Sequence, residues 1–420
     1  MPHVYPVKFS RGDHFTGAPR LTFRRPSMIR RTFLALIAIL GVSFAALLYF
    51  DSSLIRRLYY RLEGLFMKPV QLPPDSERLV AELPAGGDTV SVEMALNSRC
   101  TSDYDGNPKR FHWGMFDETR KLSDEQITKI VTYASIPRFT SQKVEIQPDR
   151  NILTLVVDNH ISSIEREWMM VESGMQQQAI GLVCAALGVG MVFRNLGKDG
   201  TTMSKSQHAN IKIKLDPMRS TYNGSHWTAS SPKGLRGWLK GNIPDPARQG
   251  GTPLISALRD LKTKNTNGRT ATEADLSQLL WAARGRTPHY YKSRPWGMTI
   301  PTWAGEQNIS SVYLVSDNKM SKYLNWQSRR PTHSVSGINK IDKKLMEEFR
   351  KHISPYSRFI ILGKNEEFSR ALWEIGFQLL NLLLQAHSIG LTYRALLLNE
   401  PMKNILTEMG IKYPIAILAI

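Results

Sequence analysis

One long apolar segment occurs twice in this chain. Residues 165–193 match residues 368–398 when Gly174 is placed on Gly376. The further matches are Glu172 on Glu374, Gln176 on Gln378, Leu187 on Ile389 and Gly188 on Gly390. Each copy has the pattern of a long buried helix that ends at a glycine and runs into a β-type segment. Because the period is far longer than that of a solenoid repeat, the sequence predicts two similar domains fused in tandem, with a functional site at the seam between them.

The composition of the 420-residue chain is that of a globular protein, with 42% hydrophobic and 22% charged residues. Its formal net charge is +19, and residues 1–68 alone hold 11 Lys and Arg against 3 Asp and Glu. A basic surface attracts nucleic acid, anionic lipid or a phosphorylated small molecule. Because no basic run is interleaved with aromatic residues, we expect no nucleic-acid partner and favour a phosphate-bearing small molecule.

Only two cysteines are present, Cys100 and Cys184. Two cysteines form neither a zinc site nor a disulfide framework, and His, Asp and Glu do not cluster at ligand spacing, so we predict no metal site. Cys184 lies on an apolar face of the first repeated helix and is expected to be a small buried hydrophobe. Redox chemistry would therefore need a cofactor.

The N-terminal region has the pattern of a membrane anchor. Residues 32–50 are uncharged and mostly apolar, close to the ~20 residues that span a bilayer as a helix. More Lys and Arg residues precede this segment than follow it, which predicts a cytoplasmic N-terminus and a body on the non-cytoplasmic side of the membrane. Arg30 and Arg31, followed by Phe33 and Leu34, also resemble a twin-arginine export signal.

These patterns divide the chain into six predicted segments. They are a basic cytoplasmic tail at 1–31, a transmembrane anchor or twin-arginine-like signal at 32–50, a stalk or linker at 51–85, a first half at 86–200, a polar linker or lid at 201–250, and a second half at 251–420.

The two halves predict the same order of elements. In the first half, Ser123 is predicted to cap a helix, and an apolar strand covers 152–157 before the repeated helix. In the second half, Thr272 caps a matching helix, and residues 312–315 form the strand that matches 152–157. Hairpin signals are nearly absent. This order predicts an α+β fold built of two α/β layered domains.

Three groups of residues have the chemistry that a phosphate-bearing ring ligand needs, namely a cationic grip for the phosphate, backbone N–H groups near the ring, and a flat apolar wall, for which Trp303 is the candidate. Arg99 and Thr101 can supply a guanidinium and a hydroxyl to a phosphate. Gly188 and Gly190 follow a helix, so they are unlike the Rossmann glycines, which follow a strand. A polar loop between apolar segments covers 301–308.

The order of these pieces resembles the FMN-dependent nitroreductase superfamily, in particular the branch that includes the thiazole- and oxazole-forming dehydrogenases. The resemblance covers about residues 90–200 and 253–420. It implies an FMN cofactor and an α+β fold in which two tandem nitroreductase-like domains form an intrachain pseudo-dimer. The predicted transmembrane helix at 32–50 would precede them.

The resemblance also implies a set of site residues. Members of the family open with an Arg-Arg-Ser-x-Arg run that holds the FMN phosphate. Arg99 and Thr101 match part of that run, whereas Asp103 stands where the family has its second arginine. The cofactor-binding residues implied at this stage are Arg99, Thr101, Gly188, Gly190, Pro301, Thr302, Gly305 and Asn308. No catalytic acid or base is assigned.

Two functions remain open at this point. The first is a membrane-anchored, FMN-dependent oxidoreductase that transfers a hydride between a reduced donor and an organic small-molecule acceptor. Its electron donor would be a nicotinamide, a quinol or a redox protein, and two chains could pair again as a homodimer. The second is a cofactor-free nitroreductase-like scaffold or binding protein in a membrane complex, which the departure at Asp103 favours.

Overall fold

The computed structural model describes a large part of residues 89–420. The described ranges are 89–99, 101–102, 122–134, 136–140, 145–149, 152–157, 163–187, 189–194, 209–217, 239, 241–287, 290–291, 294–295, 297–301, 309–327, 330–365 and 369–420. All of them belong to one compact unit, Pro69–Ile420. Residues 32–50 lie outside the described ranges, and no helix within those ranges is both long and apolar enough to cross a bilayer.

Eight helices are described in this part of the chain. They are α1 (Val92–Ser98), α2 (Asp124–Tyr133), α3 (Ser163–Ala186), α4 (Leu254–Asp260), α5 (Glu273–Arg284), α6 (Lys343–Ile353), α7 (Ser369–Ser388) and α8 (Glu400–Glu408). The two repeated segments are α3 and α7, so both predicted long helices are confirmed. The predicted caps are confirmed as well, because Ser123 and Thr272 each form a reciprocal capping box at the start of a helix.

The described strands form two main sheets and one short hairpin. The first sheet contains β1 (Thr101–Ser102), β2 (Glu145–Asp149), β3 (Ile152–Val157), β4 (Val189–Arg194) and β5 (Ala209–Pro217). The second contains β6 (Lys264–Asn265), β9 (Ser310–Ser316), β10 (Lys319–Gln327), β11 (Arg330–Lys340), β12 (Phe359–Lys364), β13 (Tyr393–Leu397) and β14 (Pro414–Ala419). The short hairpin pairs β7 (Tyr290–Tyr291) with β8 (Arg294–Pro295).

The two sheets share one strand order. The first runs β2-β3-β5-β4-β1, and the second contains β9-β12-β14-β13-β6, extended past β9 by β10 and β11. In each sheet the strand that directly precedes the long helix is the second of the five. The prediction that 312–315 matches 152–157 is therefore wrong, since the counterpart of β3 is β12. The inserted β10, β11 and α6 separate β9 from β12 along the chain and hid this match.

The expectation that hairpins are nearly absent is also wrong. Strands β2 and β3 pair antiparallel, and β9, β10 and β11 form an antiparallel meander. The β9–β10 connection is a two-residue turn in which Asp317 and Asn318 have φ of 51° and 56°. Positive φ at both central residues matches the right-handed twist of the flanking strands.

The predicted linker at 201–250 contains part of the folded body. Strand β5 (Ala209–Pro217) lies between β3 and β4 in the first sheet. The first sheet therefore extends past the predicted boundary at residue 200. Leu239 and Arg248 are also buried, and Ala247 forms hydrogen bonds with Gln278 of the second half. Gly190 likewise differs from expectation, because it pairs with Asp216 inside β4 rather than lying in a turn.

The long helices α3 and α7 cross at a pair of glycines. A Cβ added to Gly174 would clash with the carbonyl oxygen of Trp373, and one added to Gly376 would clash with that of Val171. Val171 and Trp373 occupy the same position in the two copies of the repeat. Gly174 therefore contacts Trp373, and its counterpart Gly376 contacts Val171, the counterpart of Trp373. This exchange of equivalent contacts is the pattern of a two-fold interface.

A second reciprocal contact joins the starts of α1 and α4. The Val92 N–H donates to the Thr252 carbonyl at 3.0 Å, and the Leu254 N–H donates to the Val90 carbonyl at 2.8 Å. One large hydrophobic core draws residues from both halves, including most of the buried faces of α3, α5 and α7. Within this core Cys184 is 1% exposed, as predicted, and burial raises the pKa of its thiol.

Candidate functional site

Arg99 ends α1 and joins the first half to the second. Its side chain is buried, with the residue 4% exposed. Its Nε donates to the carbonyl of Thr299 at 3.1 Å, and its Nη2 donates to the carbonyl of Met298 at 2.8 Å. Both carbonyls lie just before Pro301, which is itself buried. An arginine of the first half thus holds the start of the predicted flavin loop of the second half.

The Thr299 carbonyl collects two further donors from the paired long helices. Gln178 Nε2 on α3 donates to it at 2.9 Å, and Asn381 Nδ2 on α7 donates at 3.2 Å. Gln178 Nε2 also donates to Asn381 Oδ1 at 2.8 Å. Because the side chains of Arg99, Gln178 and Asn381 are all buried, these bonds form in a low-dielectric interior and hold the segment around Thr299 firmly.

The structure brings together the predicted site residues that it describes. Thr101 pairs with Met191 in the parallel ladder of β1 and β4, directly after Gly190. Arg99 reaches the segment that leads to Pro301. Gly188, Thr302, Gly305 and Asn308 lie outside the described residues. Thr101 and Gly190 thus lie in neighbouring strands of the first sheet, and Arg99 contacts the segment that precedes Pro301.

The described geometry gives Arg99 a different contact from the predicted one. A phosphate ligand would need guanidinium N–H groups that face open space. In the structure, Nε and Nη2 are directed at main-chain carbonyls inside the protein. Arg99 in this arrangement positions the second-half segment.

Several buried polar atoms on α1 and α3 near this seam have no hydrogen-bond partner. They are Glu93 Oε2, Asn97 Oδ1, Gln177 Oε1, Gln177 Nε2 and Gln178 Oε1. Buried polar groups are normally paired, and each exception calls for a ligand, a water molecule or a strained role. The seam therefore has hydrogen-bonding capacity that the described protein groups leave unused.

Glu172 and Glu374 occupy the same position in the two copies of the repeat, and both are buried. The sequence alone indicated no role for them. Glu172 accepts hydrogen bonds from the backbone N–H groups of Phe139 and Thr140 and from the Thr140 hydroxyl. Burial raises the pKa of Glu172, and these hydrogen bonds oppose that rise. Glu374 instead pairs with Arg284 at 2.7 Å. Glu172 thus holds the segment between α2 and β2, whereas Glu374 joins the end of α5 to the start of β9 through Arg284 and Ser310.

A small polar cavity of about 20 Å³ lies beside that ion pair. Arg284, Ser310, Lys322 and Asn325 are among its lining residues. Burial and the charge of Arg284 lower the pKa of Lys322. The Ser310 hydroxyl donates to Glu374 and accepts from Arg284 Nη1 at 2.7 Å. The cavity has room for a water-sized group only.

A buried Ser-His-Tyr chain in the second half has the residue types of a hydrolase site. Ser277 Oγ lies 2.7 Å from His333 Nε2, and His333 Nδ1 lies 2.8 Å from the Tyr323 hydroxyl. The Ser277 hydroxyl donates to the Pro244 carbonyl at 2.6 Å. Its single proton is therefore used, so His333 Nε2–H donates to Ser277 Oγ and Nδ1 accepts from Tyr323. In this tautomer His333 donates to Ser277 and does not accept its proton, so the arrangement supplies no base for Ser277.

The protein is thus an α+β protein with two main sheets, and its candidate site lies where its halves meet. The fold is similar to that of three solved structures, each described as a candidate nitroreductase. The protein from Ralstonia eutropha JMP134 is 22% identical with a TM-score of 0.32, covering 42% of this chain and 86% of that one.

The other two structures come from Anabaena variabilis and Thermotoga maritima. The first is 10% identical with a TM-score of 0.45, covering 79% of this chain and 99% of that one. The second is 10% identical with a TM-score of 0.34, covering 79% and 94%. These likenesses concern the fold alone. No family model matches the chain, and no curated protein matches it.

Proposed function

We propose that this protein is an oxidoreductase of the nitroreductase type that binds FMN at the seam between its two halves. One observation carries the proposal: Arg99 of the first half holds the Met298–Thr299 segment that leads into Pro301 of the second half. The sequence resemblance implies a site composed of these same two parts. Their meeting, from positions about 200 residues apart, supports a single shared site.

The reciprocal contacts support an intrachain pseudo-dimer. The Gly174–Gly376 crossing and the pairing of Val92 with Thr252 each have a symmetric counterpart. Two fused domains related in this way form their shared site within one chain. At the end of α1, Arg99 reaches into the other half. Near the corresponding end of α4, Arg259 is exposed, so the two halves differ at this position.

The residues present fit one part of FMN. The isoalloxazine ring has a polar edge that needs both donors and acceptors, and the unpaired atoms of Asn97, Gln177 and Gln178 are of both kinds. The Nε–H and one Nη2–H of Arg99 donate to main-chain carbonyls, so these two groups are not directed at a phosphate. When bound, FMN would supply a ring that accepts and returns a hydride for a small-molecule substrate. Gln177 and Gln178 would orient the ring, and Arg99 would hold the adjacent segment in place.

The location and partners belong to the same proposal. Residues 32–50 would anchor the chain as a single pass, with the N-terminus cytoplasmic and the body on the other side. A body outside the cytoplasm would draw electrons from a quinol or a redox protein more readily than from a cytosolic nicotinamide. The basic residues would attract the phosphate of the cofactor and the anionic membrane surface. The proposal includes no nucleic-acid partner.

The second candidate is a cofactor-free scaffold of a membrane complex. The buried contacts of Arg99 favour it, because this arginine already serves the protein's own backbone. In that case the fused halves would provide a rigid body, and the seam polar atoms would bind ordered water.

An absorbance spectrum of the full-length chain, purified in detergent, tests the two candidates. A yellow chromophore that is released as FMN on heating, or that appears when FMN is added to colourless protein, would support the oxidoreductase. A folded chain that stays colourless in excess FMN would contradict it and leave the scaffold. Measuring the melting temperature in the same samples establishes that the chain is folded, because a ligand of the native state raises it.

A further inference from the structure

Gln177 is a fully buried carboxamide that the protein does not pair. The residue is 0% exposed, and neither its Oε1 nor its Nε2 has a hydrogen-bond partner. A carboxamide offers two donor hydrogens and two acceptor lone pairs. Leaving both ends unpaired in a protein interior is costly, and native proteins seldom do so without an ordered water molecule or a ligand.

The repeat shows that helix packing does not require this carboxamide. The alignment of Gly174 with Gly376 also aligns Gln177 with Leu379. Leu379 is also 0% exposed, so the fold accepts an apolar side chain at the equivalent position of α7. The first helix keeps a polar side chain where its counterpart buries a leucine.

Gln177 lies beside the convergence point of the two halves. Gly181 is one turn further along the same face of α3, and a Cβ on Gly181 would lie 3.7 Å from Arg99 Cδ. The next residue, Gln178, donates to the Thr299 carbonyl at 2.9 Å. The unpaired carboxamide is therefore within one helical turn of the residues that join Arg99 to the Pro301 segment.

We propose that Gln177 binds the pyrimidine edge of the flavin ring by two parallel hydrogen bonds. Its Nε2–H donates to a ring carbonyl oxygen, and its Oε1 accepts from the ring N3–H. Carboxamide side chains recognise the edges of planar heterocycles in this bidentate way. This inference rests on the proposed function and deepens it, since it assigns the residue that orients the ring.

The substitution Gln177→Leu separates this role from a structural one, because the two properties that it changes should move in opposite directions. Without flavin, the variant should melt a few degrees above the wild type, since an unpaired polar group is replaced by the residue found at position 379. Its FMN dissociation constant, measured by quenching of flavin fluorescence on the full chain, should rise about tenfold or more, the loss expected for two hydrogen bonds.

A matched control is Gln278→Leu, which removes a buried carboxamide that is fully paired. Gln278 accepts from the Ala247 N–H at 2.7 Å and donates to the Ala247 carbonyl at 3.0 Å and to Gln385 Oε1 at 3.1 Å. This variant should melt below the wild type, because its partners are left unpaired. If Gln177→Leu fails to fold, Gln177→Met keeps the volume and removes the same polar atoms.

An FMN analogue methylated at N3 completes the test. Wild-type protein should bind it about tenfold more weakly than FMN, whereas Gln177→Leu should bind both equally. Equal FMN affinity in the wild type and Gln177→Leu would overturn the inference and leave an ordered water on Gln177. Wild-type protein that binds no FMN at all would overturn the proposed function itself, so the two failures are distinguishable.

Discussion

Gly174 and Gly376 touch where the two long helices cross: a Cβ on Gly376 would lie 2.8 Å from the Cα of Gly174. Glycine inside a helix lowers its stability by about 1 kcal/mol relative to alanine. Both copies of the repeat keep this residue despite that cost, because any side chain would hold the helices apart. The crossing therefore sets the distance between the halves on which the seam depends.

Replacing Gly376 by alanine should destabilise the protein. The added methyl group would clash with the carbonyl oxygen of Val171, and backbone cannot move aside as a flexible side chain can. Overpacking of this kind costs about 1–3 kcal/mol, which outweighs the gain in helix propensity. Urea unfolding followed by circular dichroism measures the change in the free energy of unfolding.

Gly337→Ala is the control for this substitution. No atom lies within 4 Å of a Cβ added there, so its effect on the free energy of unfolding should stay within about 0.5 kcal/mol. Gly376→Ala with the stability of the wild type would mean that the helices can separate freely at the crossing.

The buried ion pair of Glu374 and Arg284 should be sensitive to the loss of one partner. The two side chains are 0% and 5% exposed. Glu374→Gln would leave the guanidinium charge in the interior without that carboxylate, a change that costs about 3–5 kcal/mol. The double variant Glu374→Leu with Arg284→Met should recover much of the loss, because it buries no charge.

The ion pair of Lys403 with the exposed Glu400 provides the comparison, since Lys403 also pairs with Glu167. Glu400 is 66% exposed, so Glu400→Gln should change the free energy of unfolding by less than about 1 kcal/mol. Similar losses for Glu374→Gln and Glu400→Gln would contradict the buried assignment.

Local sequence signals predicted the helices well and the strands poorly. The caps at Ser123 and Thr272 could be predicted because a capping box depends on residues three apart. Strand β5 lies in a stretch that is mostly polar, and this composition by itself predicts a linker. Its alternation of Ile211, Ile213 and Leu215 with polar residues is the signal of a strand.

The candidate site could be predicted only in part. The residue types at Arg99 and Pro301 indicated a shared site, and their convergence depends on packing between the halves. The described hydrogen bonds of Arg99 go to backbone carbonyls, which leave no mark in the sequence. The Gln177 signal was present in the repeat, as a glutamine aligned with Leu379, but its meaning depends on burial, which only the structure provides.

The stability of the protein should fall between about pH 6.5 and pH 4 through His333. Burial lowers the pKa of this imidazole from 6.5 to about 4, with Arg248 lowering it further and Asp245 opposing the change. The folded state holds His333 neutral, whereas the unfolded chain gains a proton below about pH 6.5. Its contribution is therefore complete above that pH, declines as the pH falls, and levels off near pH 4.

The size of this effect is up to about 3.5 kcal/mol, since one unit of pKa corresponds to about 1.4 kcal/mol. Urea unfolding at a series of pH values measures it. The variant His333→Gln should be less stable at pH 7 and should lack this part of the pH dependence. The same slope in the variant would assign the dependence to other groups.

Arg99→Lys decides between two roles for this arginine. A lysine has one ammonium group and cannot reach both carbonyls as the guanidinium does, so the free energy of unfolding should fall by about 1.5–3 kcal/mol. If Arg99 positions the Pro301 segment, the affinities for FMN and for riboflavin should fall by the same factor, since the ring site itself is disturbed. If Arg99 instead gripped the phosphate, FMN affinity alone would fall, because riboflavin has no phosphate. Arg259→Lys, at a residue whose side chain is 69% exposed, should leave stability and both affinities unchanged.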